Sequence, residues 1–497
     1  MDCASSFQRW WMLLRLLPYV RTVISALILF AFFSTITGCI TVGPDFVPPD
    51  TAAPETWAIP LQGGLSDEEI NQNTLASWWE ILDDPDLSNL IECAIANNLD
   101  LKKARARISE VRARYGIAKA DLYPTLRTTG SASRNHTSKK TGGATNELYR
   151  AGFDAGWELD FFGGKQRAIE AAESELQVSK EDLHDVLVSL VAEVALNYVD
   201  VRALQTRLSI AEANYHTQKE TSDITTWRCK AGLTTQLDVE QARYNLKRTY
   251  ALIPDLRTSI KQAENRLTVL LGQSPGALND TLSERKAIPV TPLKLAVGVP
   301  ADTLRCRPDV RRAEQVLAAS TARVGVAVAE RFPKFNLPGS IGLESLSIGD
   351  LFSSGALISS ITPNISWTIF DGGRIRQNIE VQSALQEQAL IKYESVIQKA
   401  LEEVENALVA YAEEQIRRHS LLEAVEAAAR AVSLARCQYE TGLTDFQTVL
   451  NTQRSLLSLQ EQLAKSEGAI TSNLIRIYKA LGGGWTPMMR SAIKSNK

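Results

Sequence analysis

Histidine is scarce in this chain of 497 residues, with four in all. His136, His184, His216 and His419 are scattered, and none stands in a metal-ligand spacing such as His-Glu-x-x-His. His184, His216 and His419 fall in long helical runs, where a packed or solvated ring is the expected role. Gly163, Gly164 and Lys165 lack the upstream glycine and the following Ser or Thr of a phosphate loop. A Gly-x-Ser-x-Gly elbow is missing as well. These absences argue against an enzyme, and neither a metal nor an organic cofactor is expected. The charge is mixed along the chain, 54 basic against 57 acidic residues, with no basic block or aromatic-basic platform, so nucleic acid is not an expected partner. Cysteine is also sparse, with six in total. Cys93, Cys229, Cys306 and Cys437 show no metal-site spacing. In an oxidising compartment Cys229 and Cys437, which precede similar turns, could bridge, or all four could occupy small separate positions; both readings stand.

Long apolar runs are absent beyond residue 39, so no helical membrane span is expected in the rest of the chain. Before that point Arg9, Arg15 and Arg21 precede an apolar stretch over 23–33, too short for a span and suited to a signal-peptide core, with Met1 or Met12 as the start. It ends in Ile36, Thr37, Gly38 and Cys39, the form of a bacterial lipobox, in which the cysteine takes diacylglycerol and an N-acyl chain. Lipid adds ~0.8 kcal/mol per buried methylene, and more than one chain anchors firmly. Bacterial lipoproteins kept at the inner membrane carry aspartate at the next position; Ile40 points to the outer membrane.

The rest of the sequence states the same thing twice, about 210 residues apart, too long a period for a solenoid with units of ~20–50 residues. RYGIAKADLYP at 114–124 returns as RVGVAVAERFP at 323–333. FGGK at 162–165 returns as DGGR at 371–374, AGLT at 231–234 as TGLT at 441–444, and RLTVLLG at 266–272 as RIYKALG at 476–482. The expected segments are a signal peptide over 1–38, a lipidated extended tether over 39–80, repeats over 81–285 and 286–485, and a tail over 486–497. Trp78 and Trp79 open the ordered part, and Asp84 with Pro85 starts a helix.

Each repeat carries a stretch of period two. Tyr149, Ala151, Phe153, Ala155, Trp157, Leu159 and Phe161 alternate with Arg150, Asp154, Glu158 and Asp160. Ile361, Pro363, Ile365, Trp367 and Ile369 repeat the pattern, residues 335–343 give a third strand, and 126–132 a weaker fourth. Membrane barrel strands need ~9–11 residues, with apolar faces and aromatic ends. Four strands cannot close a barrel, since the smallest have ~8, and open edges cannot face lipid. Three copies would supply ~12 strands. After each strand pair comes a run without Gly or Pro, 165–230 and 374–441, far longer than the ~11–12 residues of an average helix. Leu183, Leu187, Leu190, Val194, Tyr198, Val201, Leu204 and Leu208 form a coiled-coil seam in the first. Gly232 and Gly442 stop the two helices, and a return helix follows each.

These motifs, in this order, resemble the outer-membrane efflux factors (TolC-like channels), and in particular their OprM- or NodT-like lipoprotein branch. The residues carrying the resemblance are Cys39, the stretch VGPDF at 42–46, Trp78 and Trp79, WELDFFGGK at 157–165, RPDVR at 307–311, FDGGR at 370–374, and Tyr439 with Gly442 and Leu443. The resemblance implies a mostly α fold with a transmembrane β-barrel portion: four strands plus long coiled-coil helices per protomer, and a trimeric 12-stranded barrel continuing into a periplasmic α-helical barrel. It implies a homotrimer in outer-membrane lipid, serving as the passive exit duct of a tripartite efflux system with a periplasmic adaptor and an inner-membrane transporter of the resistance-nodulation-division type. A type I protein-secretion duct uses the same architecture, and a tethered coiled-coil rod is a structural alternative. The helix turns Gly232, Leu233, Thr234 and Gly442, Leu443, Thr444 would meet the adaptor, and Tyr149, Phe153, Trp157, Phe161 and Trp367 would face lipid. At the periplasmic gate Asp238 matches an aspartate that pairs with a tyrosine of the other repeat, here Tyr439. Asn451 replaces the branch's constriction aspartate, and Gln447 its apolar neighbour, which implies a gate held by hydrogen bonds more than by ion pairs.

Overall fold

The computed structural model describes residues 41–49, 54, 56–62, 64–68, 71–289, 295–298 and 300–485. Cys39, the signal segment and the tail over 486–497 lie outside the described residues. In chain order the first elements are β1 (Leu65–Ser66), α1 (Gln72–Ala76), a 3-10 turn (Trp78–Leu82), α2 (Pro85–Asn97) and α3 (Leu99–Ala120). Then come β2 (Thr125–His136), β3 (Thr145–Leu159), α4 (Gly164–Lys230) and α5 (Gln236–Leu270). The second half runs β4 (Leu295–Ala296), α6 (Pro300–Cys306), α7 (Pro308–Ala329), β5 (Lys334–Ser345), β6 (Leu357–Ile361), β7 (Asn364–Ser366), α8 (Arg374–Glu440) and α9 (Phe446–Ala480). The duplication is visible in the lengths: α3 and α7 have 22 residues each, α4 and α8 have 67, α5 and α9 have 35.

α4 and α8 follow the two Gly- and Pro-free runs to within one residue, and at 1.5 Å per residue each extends ~100 Å. Both end in the same left-handed glycine turn. Gly232 has φ 74° and Gly442 φ 77°, a conformation that costs other L-residues ~1–2 kcal/mol. The Leu233 amide donates to the Arg228 carbonyl (2.9 Å) and the Leu443 amide to Gln438 (2.8 Å), which satisfies carbonyls the helix end leaves open. The return helices then start on side-chain caps: Thr235 accepts from the Asp238 amide, and Asp445 from the Thr448 amide.

The chain divides into two compact units. In the larger, described here within 48–112, 175–317 and 389–485, every member of the predicted α4 seam from Leu183 to Leu208 is buried. Trp78 is buried and stacks on Tyr478, with ring centroids 5.4 Å apart. The tether expected over 39–80 is not a free segment here. Trp57 and Leu65 are part of this core, the Trp57 indole donates to the Gly298 carbonyl (2.8 Å), and β1 pairs in parallel with β4. A few scattered apolar residues were enough to fold it back, and they carry no periodicity to read.

Arg202 on α4 is fully buried and holds the start of α2 in place. Its guanidinium donates to Asp86 (2.9 Å), Gln205 (2.9 Å), the Tyr198 hydroxyl (3.1 Å) and the Glu284 carbonyl (2.7 Å). Tyr198 in turn donates to Asp84 (2.7 Å), the N-cap of α2.

The smaller unit, described here over 41–47, 113–174 and 318–388, holds an antiparallel sheet in the order β2-β3-β5-β6, with β7 also pairing β5. Trp157 lies opposite Leu337, and Phe153 opposite Ile341. β2 runs 12 residues, longer than the stretch 126–132 expected from alternation. Two expectations fail at strand ends. β3 stops at Leu159, so Phe161 lies beyond it and packs edge-on against Phe335 (4.7 Å). The continuous strand expected over 361–369 is interrupted: β6 ends at Ile361, Pro363 offers no N–H, and β7 is only three residues long, leaving Trp367 past its end.

Replacing Arg202 with Ala should cost ~1.5–3 kcal/mol, because Gln205 and the Glu284 carbonyl lose a charged donor while Asp86 keeps Lys286 (2.6 Å). The denaturation midpoint of the detergent-solubilised protein measures this, and a loss within error would show that Arg202 does not hold α2.

Candidate functional site

The chain just after Cys39 is gripped, within the smaller unit, by the start of α4. The Val42 amide donates to the Phe162 carbonyl (3.1 Å). Arg167 donates to the carbonyls of Val42 (3.1 Å) and Gly43 (3.4 Å) and pairs with Asp45 (2.6 Å) and Glu170 (2.8 Å). Its side chain is 5% exposed. Gly43 lies so close to Gly325 on α7 that a Cβ there would collide with the Gly325 Cα. The stretch VGPDF is therefore a strap bonded to the elbow between β3 and α4.

Two tryptophans, one per repeat, finish the strands in the same way. The Trp157 indole donates to the Leu122 carbonyl (2.8 Å) and the Trp367 indole to the Arg331 carbonyl (3.0 Å). Each indole has its N–H satisfied while its ring stays exposed, the arrangement suited to a lipid–water boundary. Phe153 and Ile341 are more than half exposed along the same sheet. Tyr149 is half-buried, and its hydroxyl donates to Glu147 (3.3 Å).

At the helix turns of the larger unit Leu233 and Leu443 are largely exposed, and a Cβ on Gly232 or Gly442 would meet nothing within 4 Å. Thr234 donates to Asp238 (2.5 Å), while Thr444 is half-buried. The Asp238 carboxylate also accepts from the Thr235 amide (3.1 Å) and hydroxyl (2.9 Å), closing a capping box. Burial pushes the Asp238 carboxyl up, but the Thr234 and Thr235 hydrogen bonds outweigh it and hold it below the ordinary aspartate value. The expected Asp238–Tyr439 pair is not made within this chain. Asp238 is taken up by its own cap, and the Tyr439 hydroxyl is buried without a hydrogen-bond partner. The Tyr439 ring instead rests against Phe446 (5.2 Å), with the Arg228 guanidinium 4.7 Å from its centroid. Gln447 donates to Asn451 (2.9 Å) along one face of α9.

Three polar ties between the hairpins went unread in the sequence: Arg454 to Asn245 (2.7 Å), Gln453 to Thr221 (3.2 Å) and Asn214 to Gln460 (2.9 Å). Polar residues on long helices carry no local sign of the register that makes them meet. Cys229 and Cys437 do not bridge, and both are free thiols, as is Cys93. Among the described residues no His, Cys, Asp and Glu cluster could hold a metal ion, and no helix is long and apolar enough to cross a membrane.

Two outcomes follow from these contacts. Arg167→Ala should raise hydrogen exchange at the Val42 amide at least ~tenfold, since a hydrogen bond to a charged group contributes ~1.5–3 kcal/mol. Unchanged protection would mean that the strap is held by backbone contacts alone. A lowered folded pKa makes the Asp238 contribution fully present above the unfolded value of ~3.9 and lost as pH falls through the lower folded value. Protection of the Thr235 and Asp238 amides should hold from neutral pH down to ~4 and fall only below it. A decline already near neutrality would rule out the carboxylate cap.

Comparison with known proteins places this geometry. The model of the family described as "Outer membrane efflux protein" matches residues 90–273 and 299–483, one match per repeat. Nodulation protein T of Rhizobium leguminosarum bv. trifolii is 32% identical over 470 residues, covering 93% of this chain and 98% of that protein. The solvent efflux pump outer membrane protein SrpC of Pseudomonas putida is 32% identical over 457 residues, covering 90% and 96%. Cation efflux system protein CusC of Escherichia coli K12 is 30% identical over 462 residues, covering 90% and 97%. Among solved structures, the outer-membrane channel OprN superposes with a TM-score of 0.85 at 35% identity, covering 90% of this chain and all of that one. With the family match spanning both repeats and full-length relatives above 30% identity, the chain belongs to the outer membrane efflux protein family.

Proposed function

We propose that three copies of this chain form one outer-membrane channel, the passive exit duct of a tripartite efflux system. The observation that carries this reading is the sheet. Its first and last strand positions, β2 and β6–β7, each have one edge without a partner among the described residues, while Phe153, Trp157 and Ile341 expose apolar surface. Unpaired edges are not tolerated in hydrocarbon, and four strand positions fall short of the ~8 that close the smallest membrane barrel. Three copies bring the count to ~12 and leave no edge.

Cys39 carries the diacylglycerol and N-acyl lipid in this reading. The strap over 42–45, starting three residues later, supports an anchor held to the strand–helix elbow. A periplasmic adaptor meets the turns, where Leu233 and Leu443 offer exposed apolar contacts on glycine-ended helices. The energy comes from an inner-membrane transporter of the resistance-nodulation-division type. CusC is named for cation efflux and SrpC for solvent efflux. One duct architecture therefore serves unlike cargoes, and selection among compounds falls to the transporter and adaptor. The gate is uncharged at its constriction, and the Gln447–Asn451 hydrogen bond supports that.

Wild-type protein in a planar lipid bilayer should give stepwise conductance that is insensitive to added divalent cation. Asn451→Asp, which sets three carboxylates in one ring, should make closure cation-dependent. The absence of conductance steps from the wild type would contradict the duct. Identical N451D traces with and without cation would contradict the uncharged gate.

A further inference from the structure

The hairpin of β2 and β3 reaches past the rest of its sheet. β5 accompanies β3 only as far as Tyr149, which lies opposite Ser345. Beyond that point β2 and β3 pair with each other, from Ser133 opposite Leu148 to His136 opposite Thr145. The turn that joins them is fixed by its own bonds. The Thr137 amide donates to the Ala144 carbonyl (2.9 Å), the Ala144 amide to the Thr137 hydroxyl (2.9 Å), and the Lys140 amide to the Ser138 hydroxyl (3.1 Å). Gly142 and Gly143, at φ 112° and 62°, close it in a conformation that suits glycine. A short 3-10 turn over Lys139–Thr141 thus holds two exposed lysines at the tip.

Register puts this tip in line with the apolar face of the sheet. Directly opposed residues of an antiparallel pair lie on one face, and alternate residues return to it. Trp157, Phe153 and Tyr149 share that face on β3, and Ala132 stands opposite Tyr149. Tyr149 lies eight residues before Trp157, which is ~20 Å of membrane at ~3.4 Å per residue and a tilt of ~35–45°, close to an apolar band of ~25 Å. Past Tyr149 the same face turns polar: Arg134 stands opposite Glu147, and His136 opposite Thr145. Arg134 pairs with Glu147 (3.4 Å), which also accepts from the Tyr149 hydroxyl (3.3 Å). With Lys139 and Lys140 beyond them, the stretch 133–148 carries three cations against one carboxylate. The connection after β5, over 346–356, has no basic residue, and Leu346, Ile348 and Phe352 are exposed there. The two repeats therefore differ at this end: one offers apolar groups next to the level of Tyr149, the other offers cations further out.

We propose that the outer end of the β2–β3 hairpin binds the phosphate groups of the glycolipid in the outer leaflet of the outer membrane, with Arg134, Lys139 and Lys140 as the binding cations. This rests on the shared-barrel reading above, which puts the helices on the periplasmic side and the hairpin tip at the outer surface. The outer leaflet of a bacterial outer membrane is built of a glycolipid with acyl chains below and phosphorylated sugars above. The order along the hairpin matches that profile: aromatic and apolar side chains up to Tyr149, then Arg134, then the two lysines. A cation beside an anionic lipid surface raises affinity about fivefold, and a phosphate accepts charge-assisted hydrogen bonds from several donors at once. Glu147 takes up part of the Arg134 charge, so the lysines carry most of the binding.

The test uses the full-length wild type and a variant with Lys139→Gln and Lys140→Gln, both purified in mild detergent. Each is titrated with diphosphorylated lipid A, with the same lipid stripped of its phosphates, and with inorganic phosphate, and bound molecules are counted by native mass spectrometry. The wild type should bind the phosphorylated lipid at least ~tenfold more tightly than the stripped one, and the variant should lose that preference. Lys139→Ala alone, used should the double change perturb assembly, should weaken the preference about fivefold. A trimeric wild type that binds both lipids equally, or variants that keep the full preference, would overturn the site and leave the shared barrel standing. Binding of inorganic phosphate as tight as that of the lipid would overturn the glycolipid as the occupant. A monomeric native mass for the wild type would overturn both the site and the barrel.

Discussion

Backbone hydrogen bonding at the edges of one small sheet is the constraint on which the rest depends. In water the unpaired N–H and C=O groups of β2 and of β6–β7 would bind solvent at little cost. In hydrocarbon each unsatisfied group costs several kcal/mol, and side-chain chemistry cannot remove that cost along a 12-residue strand. The duplication supplies the remedy. Because β3 of the first repeat pairs with β5 of the second, the sheet begins with a first-repeat edge and ends with a second-repeat edge. Two such ends from different copies complement one another, and a ring closes when the count is large enough.

Two buried arginines do comparable jobs in the two units. Arg167 binds the strap through carbonyls and Asp45, and Arg202 binds the start of α2 through Asp86, Tyr198 and a carbonyl. A guanidinium suits both places because its planar fork of donors stays charged and satisfies several acceptors at once. Near the helix turns the chemistry is different. The Asp238 carboxylate is spent on capping α5, and Gln447 donates to Asn451 on α9, so local hydrogen bonds set the arrangement there.

The helices could be read from the sequence because their signals are local. A long run without Gly or Pro, closed by a glycine, marks α4 and α8 to within one residue, and spacings of three and four pick out the buried seam. β3 and β5 could be read because alternation is also local. What escaped reading depends on contacts distant in sequence. Phe161 leaves its strand to meet Phe335, Pro363 splits the last strand position in two, and Trp57 and Leu65 fold back into the core from a stretch with no pattern. The tie from Arg454 to Asn245 depends on how two hairpins are registered, as does the unpaired Tyr439 hydroxyl. The family resemblance located Asp238 and Tyr439 but could not show that the carboxylate is already engaged by Thr234 and Thr235.

The most direct measurement is the native mass of the full-length protein extracted from purified outer membranes in mild detergent. Closure of the sheet by identical copies predicts a trimer that stays with the membrane after the segment around Cys39 is cut away. A monomer, or release by that cut alone, would mean that the strands do not cross lipid and would contradict the duct.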